Sequence, residues 1–465
     1  MAVSCWLEVV LPQGLPINRL RTILLLGLPI TGGMLSQSLI NLIDTAMVGR
    51  LGEESLAAIG AANYALFVSF ALINGLSVAV QSRVARFYGC GNRSQILEPV
   101  SSGVMAALVI GLPLTIVLFL CSGLIISTFG LDSSVAPLAL DYFRIRVLSL
   151  PAAMLMLTFR GFWNGYNTPW NFLRILIVTH VVNAVASYGL IFGVGNIIQP
   201  LALSGAAIGT LIAMYTGALI NTLATMRIAR RDKLPNSRPD QSRMLQLYRQ
   251  AWPDSAQQTL FALGMCVFFA LVARMGNDAM AITHVIINVS LLLILPGLGL
   301  GMAATTLINH ALGAGDTHRA WRWGWDVVTV AMVLLTLLSL PLLFMPEAVL
   351  GLFLPDNNRL IAEGVQPLQL AGAGLIIDSI SLVLTQALLG TGSNKTVLRI
   401  RFVTLWQITL PLTWLAGVYF GLGLSAVWCI QILQRLLSSV AYCYIWQKRG
   451  WHKGLSGHQA KQKYS

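Results

Sequence analysis

Apolar runs long enough to cross a bilayer recur twelve times along this chain. They fall near residues 23–48, 57–81, 101–127, 136–160, 170–194, 203–227, 251–274, 281–308, 326–345, 366–391, 402–420 and 423–446. About 20 residues suffice for one crossing. In hydrocarbon the backbone has to satisfy its own hydrogen bonds, so runs of this length are helices. The pattern excludes an ordinary soluble enzyme and a disordered chain, and composition agrees. Of 465 residues, 56% are hydrophobic and 10% charged, where a soluble domain carries roughly 25% charged residues. Mean hydropathy is +0.73. The expected fold is an all-α integral membrane protein with twelve transmembrane helices.

The chain also repeats itself. At an offset of 224 positions Pro29 falls on Pro253, Arg50 on Arg274, Gly52 on Gly276 and Ala57 on Ala281. The same offset carries Gly89 to Gly313, Gly91 to Gly315, Phe129 to Phe353 and Asp132 to Asp356. Self-similarity of this kind marks a duplicated architecture. Each half holds six helices, an even number, so both halves enter the membrane from the same side. That predicts two six-helix bundles related by a pseudo-two-fold axis along the membrane normal. The expected division is a cytoplasmic N-terminal segment at 1–22, an N-terminal six-helix lobe at 23–227 and a cytoplasmic linker at 228–250. A C-terminal six-helix lobe at 251–446 and a basic cytoplasmic tail at 447–465 complete it. The linker holds Pro235 and Pro239 among many charges, with room for a short amphipathic helix at 241–250.

The formal charge is +13, from 30 Lys and Arg against 17 Asp and Glu. In a soluble protein that excess would suggest nucleic acid; here its distribution decides otherwise. With the N-terminus taken as cytoplasmic, the basic residues cluster before span 1, after spans 2, 8 and 10, around the turn between spans 4 and 5, in the linker and in the tail. Only Arg50, Arg144, Arg146, Arg274, Arg359 and Arg435 fall elsewhere. This positive-inside bias places both termini in the cytoplasm and argues against a nucleic-acid partner. Glu8 and the lack of a basic residue before the first apolar stretch argue against a cleaved signal peptide. The N-x-S/T matches at Asn92 and Asn394 then face the cytoplasm, where glycosylation does not occur. Six cysteines (Cys5, Cys90, Cys121, Cys266, Cys429, Cys443) show no CxxC spacing, so neither a disulfide framework nor a zinc site is expected.

Ionisable groups at membrane depth are costly, and each is a functional candidate. Asp44 lies in span 1, where Gln37, Asn41 and Asp44 share one face at i, i+4, i+7 spacing. Asp378 lies in the middle of span 10, with Gly374, Ser381 and Thr385 on its face. Asp254 and Asp326 open spans 7 and 9, where a carboxylate simply favours the positive end of a helix. Span 2 carries a stripe of Asn63, Phe67, Phe70, Asn74, Ser77 and Gln81; span 5 carries His180, Asn183 and Ser187. For these uncharged residues interhelical hydrogen bonding competes with a water-filled substrate cavity. The two acids are not duplicated: the repeat places Phe268 opposite Asp44 and, at a local offset of 225, Ala153 opposite Asp378. Burial disfavours the charged form of a carboxyl group. A lone one can therefore hold a proton, or a sodium ion with oxygens from Asn41 and Asn183 around it. Asp44, Asn183, Asn41 and Asp378 are the candidate cation-coupling residues. Gln37, Asn63, Asn74, His180, Ser187, Ser381 and Thr385 are candidates for the substrate cavity.

Several segments, in order, resemble the multidrug and toxic compound extrusion (MATE) family. They are LPITGGMLSQSLINLIDTAMVGRLG in span 1, AVQSRVARFYGCGNR and ATTLINHALGAGD after spans 2 and 8, NGYNTPWNF and LLGTGSNKTVL after spans 4 and 10, and LSGAAIGTLIA at the start of span 6. The likeness runs from about Leu26 to about Trp446. It implies a V-shaped pair of six-helix bundles that exports amphipathic, cationic drugs or metabolites in exchange for protons or sodium ions by alternating access. It also implies that Asp44 is the coupling residue, with Asn183 nearby. Members of the DinF-like branch carry an aspartate on span 5, where this chain has Asn183 and Ser187. Members of the NorM-like branch carry an acid on span 7, where Gln258 through Phe268 contain none, although Asp378 matches their span 10 aspartate. The residues thus fall between the branches.

The expected activity is secondary antiport, with no cofactor beyond the coupling ion, no bound metal, small-molecule substrates, the bilayer as surroundings and a monomeric chain. A flippase for a lipid-linked or polyprenyl-linked substrate is the alternative. It calls for basic residues along the cavity; arginine and lysine mostly avoid the spans, which counts against it, while Arg144, Arg146 and Arg435 keep it open. A membrane transferase would need an acidic metal-binding cluster such as DxxxD, which the sequence lacks.

Overall fold

The computed structural model describes residues 16–195, 199–235, 237, 240–354 and 357–449. Within them there is no β-strand. Eleven helices are long and apolar enough to cross a membrane, and a bent pair makes a twelfth. They are α1 (Ile17–Gly49), α2 (Glu53–Gly89), α3 (Arg93–Leu120), the bent pair α4 (Val135–Val147 and Leu150–Gly165), α5 (Pro169–Phe192) and α6 (Ala202–Arg231). After the connection follow α7 (Gln241–Ala273), α8 (Asn277–Gly313), α9 (Thr317–Phe344), α10 (Asn358–Thr391), α11 (Asn394–Tyr419) and α12 (Leu424–Gln447). Each matches one expected span. Asp356, Arg238 and the part of the basic tail from residue 450 onward lie outside the described residues.

The duplication reaches the backbone. Gly52 and Gly276 precede α2 and α8 with φ of 109° and 117°. Gly91 and Gly315, in the turns after the same two helices, adopt φ of 70° and 79°. Residues with a Cβ avoid these angles, so the repeat retained glycine where the turn requires it.

Two helices begin earlier than their apolar runs. Asp240 precedes α7 and accepts from the Ser242 amide at 3.0 Å. Asp316 precedes α9 and accepts from the Arg319 amide at 2.7 Å. These carboxylates do the capping. Asp254 and Asp326, expected at helix starts, instead lie well inside α7 and α9, at 2% and 6% exposure. The expected amphipathic helix at 241–250 is the first part of α7.

Two helices widen ahead of proline. The turn Ala107–Gly111 in α3 precedes Pro113, and Val403–Thr409 in α11 precedes Pro411. A proline ring clashes with the carbonyl four residues back, and a π-type turn opens room for it.

The chain packs into two units, one spanning Gly32–Thr259 and the other combining the described residues up to Thr31 with those from Leu260 onward. α1 and α7 therefore contribute to both. In the first unit, glycines set the closest helix contacts. A Cβ on Gly161 or Gly165 of α4 would come within 2.5 or 2.6 Å of the carbonyl oxygens of Ser77 or Gln81 in α2. Gly205 and Gly209 of α6 meet Leu190 and Ser187 of α5 in the same way. Around the α2–α4 contact Val80, Val84, Phe159, Phe162 and Trp163 form a core, and the buried Trp163 indole donates to Asn221 at 2.9 Å. In the second unit Gly301 meets Gln386, Gly390 meets Thr305, and Gly324 lies against the Trp446 ring. Lipid gives helices no hydrophobic reason to associate, so close packing through small residues takes that place.

Gly161→Leu is expected to destabilise the protein by about 3 kcal/mol, because the α2 backbone cannot move aside. Gly60→Ala, where nothing lies within 4 Å of an added Cβ, serves as the control. Tryptophan-fluorescence unfolding midpoints in detergent read the difference.

Candidate ion-coupling and substrate site

Asp44 sits beyond the midpoint of α1, half-buried, and its Oδ1 is enclosed without a hydrogen-bond partner. The positive charge acting on it is Arg146 of α4. Arg146 stands one turn after Tyr142 and also bonds that phenol. Its Nε and Nη1 are enclosed and unpartnered. The bend of α4, 47° between Val147 and Leu150, lies immediately after Arg146. Arg144 is engaged differently: its Nε donates to Ser122 at 3.0 Å and its guanidinium lies 5.7 Å from the Phe119 ring centroid.

The neighbouring candidates occupy varied surroundings. Gln37 and Asn41 are exposed, and Gln37 donates to Asn41 at 3.3 Å. Ser36 of α1 reaches the His180 ring of α5 at 3.3 Å. Asn183 is buried at 3% exposure; its amide donates to Thr210 of α6 at 3.0 Å, and its Oδ1 is unpartnered. Ser187 is fully buried with an unpartnered hydroxyl, tight against Gly209. The α2 stripe does not share one environment. Asn63 and Phe67 are exposed, whereas Ser77 and Gln81 are fully buried. The helix is interrupted between Ala71 and Gly75, between the exposed and the buried parts of the stripe.

A second polar cluster in the same unit escaped the sequence reading. Arg160 of α4 donates from Nε to Ser77 at 2.9 Å, and its charge acts on the buried Asp254 of α7. Gln258 bonds Asp254 and accepts from Asn74 at 3.3 Å. The Gly75 amide donates to Ser255 at 3.1 Å. The sequence signal for this cluster is the acid in α7 itself.

In the other unit Asp378 has an arginine partner. Arg435 of α12 places Nη1 3.2 Å from Asp378 Oδ2, with both side chains only 12% and 14% exposed. Nη1 also approaches the Ala371 carbonyl at 3.4 Å. Ser381 Oγ lies 3.3 Å from Asp378 Oδ1, and Thr385 stands near the buried Tyr442 hydroxyl. Asp326 is likewise paired, with Arg19 at the start of α1, and that guanidinium stacks 4.9 Å from the Trp323 ring centroid. Among the described residues no three His, Cys, Asp or Glu side chains gather as a metal site would require.

Comparison with known proteins bears on the whole chain. The family model described as MatE matches residues 29–189 and 253–415. A protein named "Probable multidrug resistance protein NorM" from Bradyrhizobium diazoefficiens is 28% identical over 438 residues, covering 90% of this chain and 92% of its own. One of the same name from Thermotoga maritima is 24% identical over 435 residues, covering 92% of each. Among solved structures, a MATE transporter in the bent conformation superposes with a TM-score of 0.85 at 20% identity, covering 94% of this chain and 97% of its own. An outward-facing multidrug resistance MATE transporter of the MOP superfamily gives 0.83 at 20% identity, covering 92% and 95%.

Removing one partner of a largely desolvated ion pair leaves the other charge unmatched. Asp378→Asn is expected to cost about 3 kcal/mol of stability, read as a lowered unfolding midpoint. The double variant Asp378→Asn/Arg435→Gln is expected to recover most of that loss.

Proposed function

Because the chain belongs to the MatE family of transporters, we propose that it is a multidrug efflux antiporter, exchanging amphipathic, cationic small molecules for protons or sodium ions. The observation that carries this reading is Asp44: an acid within a membrane-crossing helix, with one enclosed oxygen left unpartnered. Such a carboxylate binds a cation on one side of the membrane, is neutralised, and releases it on the other. Each charge moved gains about 2.3 kcal/mol per 100 mV. Arg146 stands near enough to act on Asp44. The buried, half-satisfied Asn183 and the unpartnered Ser187 hydroxyl of α5 supply further polar groups for ion or substrate.

The family placement and the names of the relatives support efflux. The flippase reading has lost its support. Two of the three arginines it depended on are committed, Arg435 to Asp378 and Arg144 to Ser122. The positive-inside bias supports a bacterial inner-membrane protein with both termini in the cytoplasm. Two units in one chain support a monomer.

Asp44→Asn is expected to abolish cation-coupled efflux while leaving a folded protein. Substrate-stimulated cation movement in proteoliposomes, under separate proton and sodium gradients, measures it. Undiminished coupled transport by that variant would remove Asp44 from the mechanism.

A further inference from the structure

The acid of α10 was expected to bind an exchangeable cation, yet its surroundings are already filled. Arg435 Nη1 touches two oxygens, Asp378 Oδ2 at 3.2 Å and the Ala371 carbonyl at 3.4 Å. A third oxygen, Ser381 Oγ, lies 3.3 Å from the other carboxylate oxygen. A carboxylate, a backbone carbonyl and a hydroxyl are the donors a hard cation takes. Nη1 stands where an ion bridging the carboxylate and the carbonyl would be held, with the hydroxyl on the carboxylate's other oxygen.

Room for the guanidinium is built into the opposite helix. A Cβ at Gly374 would come within 2.5 Å of Arg435 Nη1 and within 3.0 Å of its Cδ and Cζ. Any larger residue at 374 therefore displaces the arginine head. Ser439 of α12 donates to the Ile377 carbonyl at 3.0 Å, which fixes α12 against α10 one turn beyond Arg435.

We propose that Arg435 is a resident counter-ion that occupies a latent alkali-cation site formed by the Asp378 carboxylate and the Ala371 carbonyl. A guanidinium stays charged under all physiological conditions and, being tethered, cannot be exchanged with solution. Asp378 is thus neutralised without a proton or a sodium ion. The exchangeable charge then falls to the other unit, where Asp44 Oδ1 and Asp254 Oδ2 are enclosed without a partner. A chain with acids in both halves then couples through one of them. This deepens the antiport reading, but it concerns binding to the resting protein, so it stands or falls separately from transport.

The test is radiosodium binding to the purified full-length protein. Arg435→Gln is expected to gain saturable sodium binding above the wild type. Its unfolding midpoint is expected to rise with sodium chloride and not with choline chloride. Asp378→Asn/Arg435→Gln is expected to lose both effects. Gly374→Ala keeps both charges and clashes only with the movable end of Arg435. It is expected to give the same gain in smaller measure, and it carries the test should Arg435→Gln fail to fold. A folded Arg435→Gln protein with no added sodium binding would overturn the proposal. So would wild-type sodium binding that falls on Asp378→Asn.

Discussion

A charge inside an apolar helix has to be matched, and the polar structure of this protein follows from how each one is. Leaving an unpaired charge at the centre of a membrane helix costs about 3 kcal/mol on insertion scales. Arg19 and Asp326 meet each other beside Trp323. Arg160 turns to Ser77 and Asp254. Arg435 and Asp378 close on one another across α10 and α12. Asp44 is matched less completely: an arginine acts on it from α4, yet one of its oxygens is enclosed and unbonded, as is one oxygen of Asp254. An incompletely matched acid is where an exchangeable ion is useful.

Close packing decides which residues can meet in this way. The α2–α4 and α5–α6 contacts rest on glycines whose missing side chains let one backbone touch the next. The same device at Gly374 makes space for a guanidinium rather than for a helix. Glycine thus serves both tasks here, bringing helices together and admitting a bulky head group between them.

Much of this was legible in the sequence. The twelve crossings follow from run length and hydropathy, because lipid allows a long apolar segment little else. The duplication was legible at Gly52, Gly91, Gly276 and Gly315, where only backbone geometry is selected and side-chain divergence does not blur it. Helix starts were less visible. Asp254 and Asp326 open the apolar runs, but α7 and α9 extend into water beyond them and are capped by Asp240 and Asp316. Hydropathy marks the edge of the lipid, not the end of a helix. The partners of the acids were hidden for another reason. Neither Arg146 nor Arg435 stands near its acid in the chain, and a single sequence does not say which helices are neighbours. The bend after Val147 further disguised Arg146, which reads as a residue at a span end until the two parts of α4 are seen at an angle.

The unequal distribution of acids over an otherwise repeated backbone bears on how such a chain could have arisen. Two copies of the first half would carry Asp44 twice and the Asp378–Arg435 pair nowhere; two copies of the second half would do the reverse. A dimer of identical subunits could not have given Asp44 to one half alone and the Asp378–Arg435 pair to the other. Fusion into one polypeptide let each half drift toward a different electrostatic task. Once that division existed, the halves could no longer be exchanged, and the joined gene became the smallest heritable unit of the transporter.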